Sequence, residues 1–172
     1  MVSVREMTEA DIPAVSAIRV AGWRCAYADI VPRSYLDAMS AERDAEQRRS
    51  WFARTRGRVT DLVAVDDSAQ VTGWVCLGPY RDDGPSPEGV GEVYALYVRS
   101  DLIGTGVGRA LMYAAHLRAA ELGFDTTLLW VLKDNARARR FYERAGYTAD
   151  GVVTGDDYDG TSLDEVRYVR HR

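Results

Sequence analysis

Apolar and polar residues alternate over short stretches in some parts of the chain and recur at helical spacing in others. The alternating or continuous apolar stretches, which are typical of strands, predict seven of them: Val2–Met7, Leu62–Val65, Gln70–Leu77, Val90–Val98, Thr126–Leu132, Tyr147–Val153 and Leu163–Val169. The second and third flank the turn residues Asp66-Asp67-Ser68 and are therefore predicted to form a hairpin. Arg81–Gly89 is predicted to be a loop.

Helical spacing predicts four helical stretches between these strands. The first contains Ile12, Val15 and Ile18, and the others are Arg33–Arg54, Val107–Leu122 and Asn135–Ala145. Thr8, followed three residues later by Asp11, resembles a capping box that opens the first helix. Ser40 can cap a new start, so a break is expected within the second stretch. Gly123 and Gly146 are placed to end the last two.

The predicted order is β-α-α-β-β-β-α-β-α-β-β, in which helical crossovers occur only in the second half. This order indicates an α/β fold with a mixed sheet (α+β mixed) rather than a regular alternation of strands and helices. The chain has 172 residues, 47% of them hydrophobic, which is enough to bury one full core. We therefore expect a single domain over residues 1–172.

Composition excludes several classes of function. The net charge of −4 argues against nucleic acid as a partner, because binding a polyanion requires clustered cations. No apolar run is long enough for a membrane span or a signal sequence, so a cytoplasmic protein is expected. Cys25 and Cys76 are expected to be buried, and with the isolated His116 and His171 they match no metal site. No metal is therefore expected.

Three alternate glycines mark the start of the helix that follows the fourth strand. Gly104, Gly106 and Gly108 remove side chains where the backbone would approach an anion. The helix that begins near Val107 directs free N–H groups and the positive end of its dipole at the same place. This pattern predicts a site for a phosphorylated ligand.

Three common phosphate-binding signatures do not fit this loop. A P-loop ends in Gly-Lys-Ser/Thr, whereas this chain has Gly108-Arg109-Ala110. The last glycine of a dinucleotide-binding fingerprint would fall on Arg109. The stretch Asp101–Gly106 resembles the first loop of S-adenosylmethionine-dependent methyltransferases, but too few residues follow Gly108 to build the remaining βα units.

A second segment, Asp134–Tyr147, follows an apolar strand and resembles the second signature of the GNAT superfamily of acyl-CoA-dependent N-acyltransferases. The glycine loop is similar to that family's pyrophosphate-binding motif, which runs from Gln or Arg through glycine to glycine or alanine. Mapped onto this chain, the motif starts at Ile103 and ends with Gly106 and Gly108. The resemblance covers most of the chain, weakly over residues 10–60. Ile103 departs from the usual Gln or Arg, so a polar side-chain contact is missing.

The resemblance implies a GNAT fold with splayed central strands and an N-acetyltransferase that moves an acetyl group from acetyl-CoA directly to a primary amine. It implies contacts with the co-substrate at the strand edge, the glycine loop and the following helix: Leu96, Val98, Ile103, Gly104, Thr105, Gly106, Val107, Gly108, Arg109, Asn135 and Tyr142. By the same resemblance, the Val98 N–H is an oxyanion donor and the protein is a homodimer.

Tyr142 and Glu92 are the predicted catalytic residues. Asn135 and Tyr142 are seven residues apart, or two helical turns, so they should face the same side with a rise of roughly 10 Å between them. The resemblance implies that Asn135 contacts the pantetheine arm and that Tyr142 protonates the departing thiolate. Glu92 lies fourteen residues before Gly106, where lysine-acetylating members of the family place a catalytic base. Tyr94 and Tyr97 are alternative relays.

The acceptor is left open as a small-molecule amine or a peptide. The resemblance assigns the acceptor pocket to the first helices, the fourth strand and the last loop, which here contain Trp23, Tyr27, Tyr35, Trp74, Tyr94 and the acidic stretch Asp156-Asp157-Tyr158-Asp159. Aromatic rings beside carboxylates suit a cationic amine. Two other functions stay open: a sensor that binds acyl-CoA without turning it over, and, less favoured by the length of the chain, a methyltransferase.

Overall fold

The computed structural model describes residues 2–81 and 84–172. The strands are β1 (Ser3–Glu6), β2 (Thr60–Val65), β3 (Val71–Pro79), β4 (Val90–Val98), β5 (Thr126–Leu132), β6 (Thr148–Tyr158) and β7 (Thr161–His171). The α-helices are α1 (Ile12–Ala26), α2 (Arg33–Ala38), α3 (Ala41–Thr55), α4 (Val107–Glu121) and α5 (Ala136–Arg144). Short 3-10 turns at Glu9–Asp11 and Ser100–Leu102 precede α1 and α4.

The strands form a seven-stranded sheet in the order β1-β2-β3-β4-β5-β7-β6. Neighbouring strands are antiparallel except β4 and β5, which are parallel. The β4–β5 ladder contains only the first part of β4 and ends where Glu92 pairs with Leu128. Beyond that point β5 continues to pair with β7, while β4 stays with β3. The predicted mixed sheet with splayed central strands is thus confirmed.

Apolar side chains cover both faces of the sheet. On one face, α4 and α5 pack on the largest core cluster, in which Leu111 and Tyr147 are almost completely buried. On the other face, α1 and α3 cover a second cluster around Val63 and Trp74. A third cluster, beside α1 and α2, joins Leu132 at the end of β5 to the far end of the β6–β7 hairpin. The splayed part of the sheet therefore lies between helices on both sides.

A β-bulge interrupts β4 in the middle of the sheet. Cys76 pairs with Ala95 and the next residue of β3, Leu77, pairs with Val93, so Tyr94 is the extra residue. The side chains of Tyr94 and Ala95 consequently both pack with the second cluster, whereas Val93 faces the first. Bulges of this kind bend a strand and re-aim its side chains. Simple alternation along the sequence does not reveal the shift.

Most predicted elements are confirmed, and the main difference is the length of the last two strands. Ser40 does break the second helical stretch, and its hydroxyl accepts a hydrogen bond from the Arg43 N–H at 3.3 Å. The last two strands are longer than predicted, since β6 includes most of the acidic stretch and only Asp159 and Gly160 form the turn. Both turn residues have positive φ angles, as a two-residue hairpin turn requires. Residues 82 and 83 of the predicted loop Arg81–Gly89 lie outside the described residues.

The two cysteines differ in burial. Cys76 is buried in the sheet as expected, but Cys25 is exposed near the end of α1, so the expectation that both are buried is wrong. The hydrophobic character of a free cysteine gave no information about which side of α1 faces the core.

The capping box before α1 is confirmed and is part of a larger network. The Asp11 carboxylate accepts hydrogen bonds from the Thr8 N–H at 2.7 Å and the Thr8 hydroxyl at 2.9 Å. The Arg5 guanidinium donates two more, at 2.7 and 2.8 Å. The hydrogen bonds from Arg5, assisted by those from Thr8, lower the pKa of Asp11 to about 2 although burial acts in the opposite direction. β1 is thereby fastened to the start of α1.

We expect Asp11→Asn to lower the free energy of unfolding at pH 7 by about 1–2 kcal/mol, because the folded state loses a charged acceptor that holds Arg5 and Thr8. The lowered pKa means that the contribution is complete above the normal pKa of 3.8 and is lost as the pH falls towards about 2. Urea unfolding at several pH values should therefore show the two proteins converging in acid. Asp101→Asn, which removes the exposed Arg99–Asp101 pair, is the control and should change stability little.

Candidate active site

The glycine loop lies between the end of β4 and the start of α4. Gly104 and Gly106 have φ angles of +87° and +101°, in the left-handed region, and a Cβ atom at either position would meet nothing within 4 Å. Gly108 is different, because a Cβ atom there would lie 3.4 Å from Phe141 on α5 and 3.5 Å from Val98 on β4. Two glycines therefore set the shape of an open loop, and the third lets α4 approach its neighbours closely.

The first backbone N–H groups of α4 have no hydrogen-bond acceptor within the helix. The first helical hydrogen bond of α4 runs from the Ala110 N–H to the Gly106 carbonyl at 3.0 Å. The N–H groups of Val107, Gly108 and Arg109 therefore precede the ladder, and no side chain caps the helix. Within the loop, the Thr105 N–H and hydroxyl both donate to the Leu102 carbonyl, at 3.2 and 2.6 Å. The loop is thus fixed internally and still offers unpaired donors.

The far half of β4 presents backbone groups to the gap left by β5. The Arg99 N–H donates to the Thr72 carbonyl at 2.9 Å, so the peptide groups of Arg99 face β3. Successive residues of a strand direct their peptide groups to opposite sides, so those of Val98 and Leu96 face β5. The β4–β5 ladder has already ended at Glu92. The edge predicted at Leu96 and Val98 is therefore open to a ligand.

Tyr142 lies on α5 at the edge of this gap. Its ring packs between Phe141, at a centroid distance of 5.3 Å, and Tyr147, at 6.1 Å. Burial raises the pKa of the Tyr142 phenol well above its usual value, and the neighbouring hydroxyls of Tyr97 and Tyr147 raise it further. The phenol is therefore protonated at neutral pH, as a proton donor must be.

Asn135 is the N-cap of α5 rather than a residue inside the helix, so the predicted start is one residue early. Its side-chain oxygen accepts a hydrogen bond from the Ala138 N–H at 3.1 Å. The Asn135 side chain also approaches the hydroxyl of Tyr27, whose pKa is raised to about 12 by burial and by Tyr142. Asn135 thus combines a structural role with a position beside the tyrosines of the gap.

Glu92 stands at the point where β4 and β5 separate and is only 2% exposed. Its two carboxylate oxygens accept hydrogen bonds from the Arg81 guanidinium at 2.6 and 3.3 Å and from the Arg81 N–H at 3.0 Å. A free carboxylate base would have to give up these bonds before it could take a proton. This geometry favours a positioning role for Glu92 over the general-base role expected from the sequence.

The predicted acceptor residues separate into two groups. Trp23, Tyr27, Tyr35 and Tyr158 form one aromatic cluster, with ring centroids 4.7 to 6.1 Å apart. Trp74 belongs to the core instead: it is 2% exposed, it stacks on Tyr97 at 6.2 Å, and its indole N–H donates to Asp61 at 2.9 Å. Tyr94 also lies apart, with its hydroxyl donating to the Pro79 carbonyl at 2.5 Å.

The acidic stretch contributes less than the sequence indicated. Asp156, Asp157 and Asp159 are exposed, and only Tyr158 turns into the aromatic cluster. The Ser34 hydroxyl donates a hydrogen bond to Asp159 at 2.7 Å, which holds the β6–β7 turn against α2. The hairpin therefore closes one side of the gap through Tyr158 and this contact.

A cavity of about 300 Å³ lies between α1, α3 and the bulged part of β4. Its charged walls come from Arg19, Asp44, Arg48 and Arg81, and its aromatic walls from Trp51, Trp74 and Tyr94. Asp44 accepts hydrogen bonds from Arg19 at 2.6 Å and from Arg48 at 3.3 Å, and the Arg48 guanidinium lies 4.1 Å from the Trp74 ring centroid. The buried Nε of Arg48 has no partner within the described residues.

Two charged residues of this region were missed by the sequence analysis. Arg81 was assigned to a loop, but it pairs with Glu92 and its guanidinium lies 4.0 Å from the Tyr94 ring centroid. Glu165 lies in β7 on the side of the aromatic cluster and is half-buried. The alternation of side chains along a strand could have identified Glu165. It follows the apolar Leu163 by two residues and therefore shares its face of the sheet.

No three His, Cys, Asp or Glu side chains of residues 2–81 and 84–172 are grouped so that they could hold a metal ion. None of the helices in these two ranges has the length and apolar character needed to cross a bilayer.

Comparison with known proteins places these features in a family. Residues 22–147 match the family model described as acetyltransferase (GNAT) family. The uncharacterized N-acetyltransferase YuaI of Bacillus subtilis is 31% identical over 168 residues, which are 96% of this chain and 91% of YuaI. The L-methionine sulfoximine/L-methionine sulfone acetyltransferase of Pseudomonas paraeruginosa is 30% identical over 88% of this chain and 83% of that protein.

A solved structure agrees with the fold. The crystal structure of PaiA N-acetyltransferase from Thermoplasma acidophilum in complex with coenzyme A matches with a TM-score of 0.78 and 18% identity, over 100% of this chain and 99% of that one. At this identity the match supports the architecture alone. The family match over most of the chain goes further: the protein belongs to the acetyltransferase (GNAT) family and is an N-acetyltransferase.

Proposed function

We propose that the protein transfers an acetyl group from acetyl-CoA directly to a primary amine of a small molecule or a peptide. One observation carries the proposal: an open glycine loop with unpaired N–H groups lies beside the gap where β4 and β5 separate. Coenzyme A offers a pyrophosphate to such a loop and a pantetheine arm to such a gap. The related PaiA structure, whose fold is similar, contains coenzyme A.

The backbone supplies the main contacts in this proposal. The N–H groups between Ile103 and Arg109 bind the pyrophosphate, because a helix N-terminus attracts anions. The peptide groups of Leu96 and Val98 pair with the pantetheine amides in the manner of an added strand. Ile103 contributes through its backbone alone. When bound, acetyl-CoA supplies the activated acetyl thioester.

Tyr142 and the Val98 N–H assist the transfer. The Tyr142 phenol, which is protonated at neutral pH, donates its proton to the departing sulfur. The Val98 N–H stabilises negative charge on the acetyl oxygen, a contact that can be worth about 10²–10³ in rate. Asn135 orients the arm beside Tyr142, and Glu92 fixes Arg81.

The cavity beside the bulge favours a small acceptor that carries an acidic group. Three arginines and one aspartate line it, and the unpaired Nε of Arg48 is a donor for a carboxylate or a similar anion. The Pseudomonas relative is named for acceptors that are amino acids. We therefore rank amino-acid-like amines before polyamines and lysine peptides.

Two measurements test the function. Saturating acetyl-CoA should raise the melting temperature, because a ligand that binds only the folded protein stabilises it. Release of free thiol should then depend on an amine, in a panel of L-methionine sulfoximine, L-methionine sulfone, a polyamine, an aminoglycoside and a lysine peptide. A melting shift without thiol release for any amine would favour the acyl-CoA sensor, and no shift would contradict both functions.

We expect Gly106→Ala to weaken coenzyme A binding about tenfold or more. A Cβ atom at a φ of +101° is strained, so the loop must change shape and lose its aligned N–H groups. Calorimetric titration with coenzyme A gives the affinity. Gly57→Ala, with a similar φ of +82° and no close neighbour, is the matched control, and it should leave the affinity unchanged.

We expect Tyr142→Phe to lower kcat about 10²-fold while the affinity for coenzyme A changes little, because only the proton donor is lost. Steady-state kinetics with the best amine of the panel, together with the same titration, separates the two quantities. Tyr113→Phe, on the exposed face of α4, serves as the control. An undiminished kcat in Tyr142→Phe would exclude the acid role.

A further inference from the structure

Glu165 occupies the middle of the three-stranded part of the sheet formed by β5, β7 and β6. It lies opposite Leu132 of β5 and opposite Thr154 of β6. Leu132 and Leu163 pack in the aromatic cluster beside α1 and α2, whereas Val166 and Tyr168 pack on the opposite face. Alternation along β7 therefore places Glu165 on the same face as the aromatic cluster.

The half-buried Glu165 carboxylate makes no close ion pair or hydrogen bond within residues 2–81 and 84–172, and the cation that acts on it electrostatically is Arg81, which pairs with Glu92. Three nearby carboxylates, in contrast, each form an ion pair. Asp164 pairs with Lys133 at 3.3 Å, Asp150 pairs with Arg167 at 2.7 Å, and Glu92 pairs with Arg81 at 2.6 Å. The Glu165 carboxylate is therefore free to pair with a cationic ligand, which would offset part of the cost of its partial burial.

Aromatic side chains connect Glu165 with the proposed reaction centre. Tyr158 packs on Trp23 at a centroid distance of 6.1 Å, and both Glu165 and Tyr97 act on it electrostatically. Tyr97 in turn interacts with Tyr142, the proposed proton donor. The carboxylate therefore lies on the sheet face that carries the aromatic cluster, within electrostatic range of Tyr158.

We propose that Glu165 binds the ammonium group of the acceptor amine and accepts its proton, in place of the hydrogen-bonded Glu92. This inference rests on the proposed N-acetylation of a primary amine. A cation at Glu165 would also lie near the ring of Tyr158, which is an attractive surface for an ammonium group.

The protons and bonds of the transfer balance with these residues. The ammonium gives one proton to the Glu165 carboxylate, which later releases it to water. The nitrogen lone pair of the resulting amine forms the C–N bond to the acetyl carbon as the C–S bond breaks. Tyr142 gives a proton to the departing sulfur and regains one from the newly bonded nitrogen. The products are the N-acetylated amine, the free thiol and one released proton.

The charges around Glu165 agree with this role. Burial raises its pKa above the usual value, and Asp156 and Glu92 raise it further, whereas Arg81 lowers it. Tyr158 is the other titratable group that faces it, and its own pKa is raised above the usual value by burial and by Glu165. A raised pKa makes the carboxylate a stronger proton acceptor than an exposed glutamate.

The test compares Glu165→Gln with Asp164→Asn, which removes a carboxylate from the next residue on the opposite face. With the best amine of the panel, Glu165→Gln should lower kcat/KM about 10²-fold or more. Calorimetric binding of that amine to the protein saturated with coenzyme A should weaken at least tenfold. Coenzyme A affinity should be unchanged, and the melting temperature should not fall, because the substitution removes a half-buried charge. Asp164→Asn should behave as wild type, and Glu165→Asp should recover part of the loss.

Several outcomes would overturn the proposal. A Glu165→Gln protein that keeps kcat/KM within twofold of wild type would do so, as would amine binding that is unaffected. If Glu165→Gln folds poorly, Glu165→Asp tests the proposal instead. It keeps the negative charge, so a Glu165→Asp protein with no measurable kcat/KM would contradict a role for that charge. Loss of activity in Glu92→Gln alone, with Glu165→Gln active, would return the base role to Glu92. A wild-type protein that acetylates no amine would instead remove the proposed function, and this inference with it.

Discussion

The separation of β4 from β5 beyond Glu92 and Leu128 is the constraint on which the other features of the site depend. A sheet that stops pairing in its interior leaves backbone donors and acceptors at Leu96 and Val98 without a strand, and such groups are costly unless something replaces the partner. The bulge at Tyr94 and the pairing of β5 with β7 keep the two strands apart. A peptide-like ligand arm is a natural substitute for the missing strand.

The helices on either side of this gap make it suitable for a thioester. α4 brings unpaired N–H groups to the open end of the gap, and Gly108 allows it to approach α5 and β4 closely. α5 is held to β7 by Arg139 and Glu143, both of which hydrogen-bond to the buried Tyr168 hydroxyl. Tyr142 is therefore positioned by a rigid support, in surroundings that keep its phenol protonated.

Charge is distributed unevenly across the acceptor side. Arg81 donates hydrogen bonds to Glu92, whereas it acts on Glu165 only electrostatically. Arg19 and Arg48 share Asp44 in the wall of the adjoining cavity, and the buried Nε of Arg48 has no partner among the described residues. An acceptor that carries both an ammonium and an acidic group matches this pattern, because each of its charges meets an opposite one.

The sequence by itself determined the order of elements and the glycine loop, because periodicity, capping residues and glycine spacing act over a few neighbouring residues. It also placed Glu92, Tyr142 and Asn135 near the site through the family resemblance. Only the tertiary structure decided which contacts these residues make: Arg81 pairs with Glu92, and Asn135 caps α5. It also decided that Trp74 is buried and that Glu165 makes no close ion pair within the described part of the chain. These depend on strand register and on contacts between residues far apart in the chain, which no local pattern specifies.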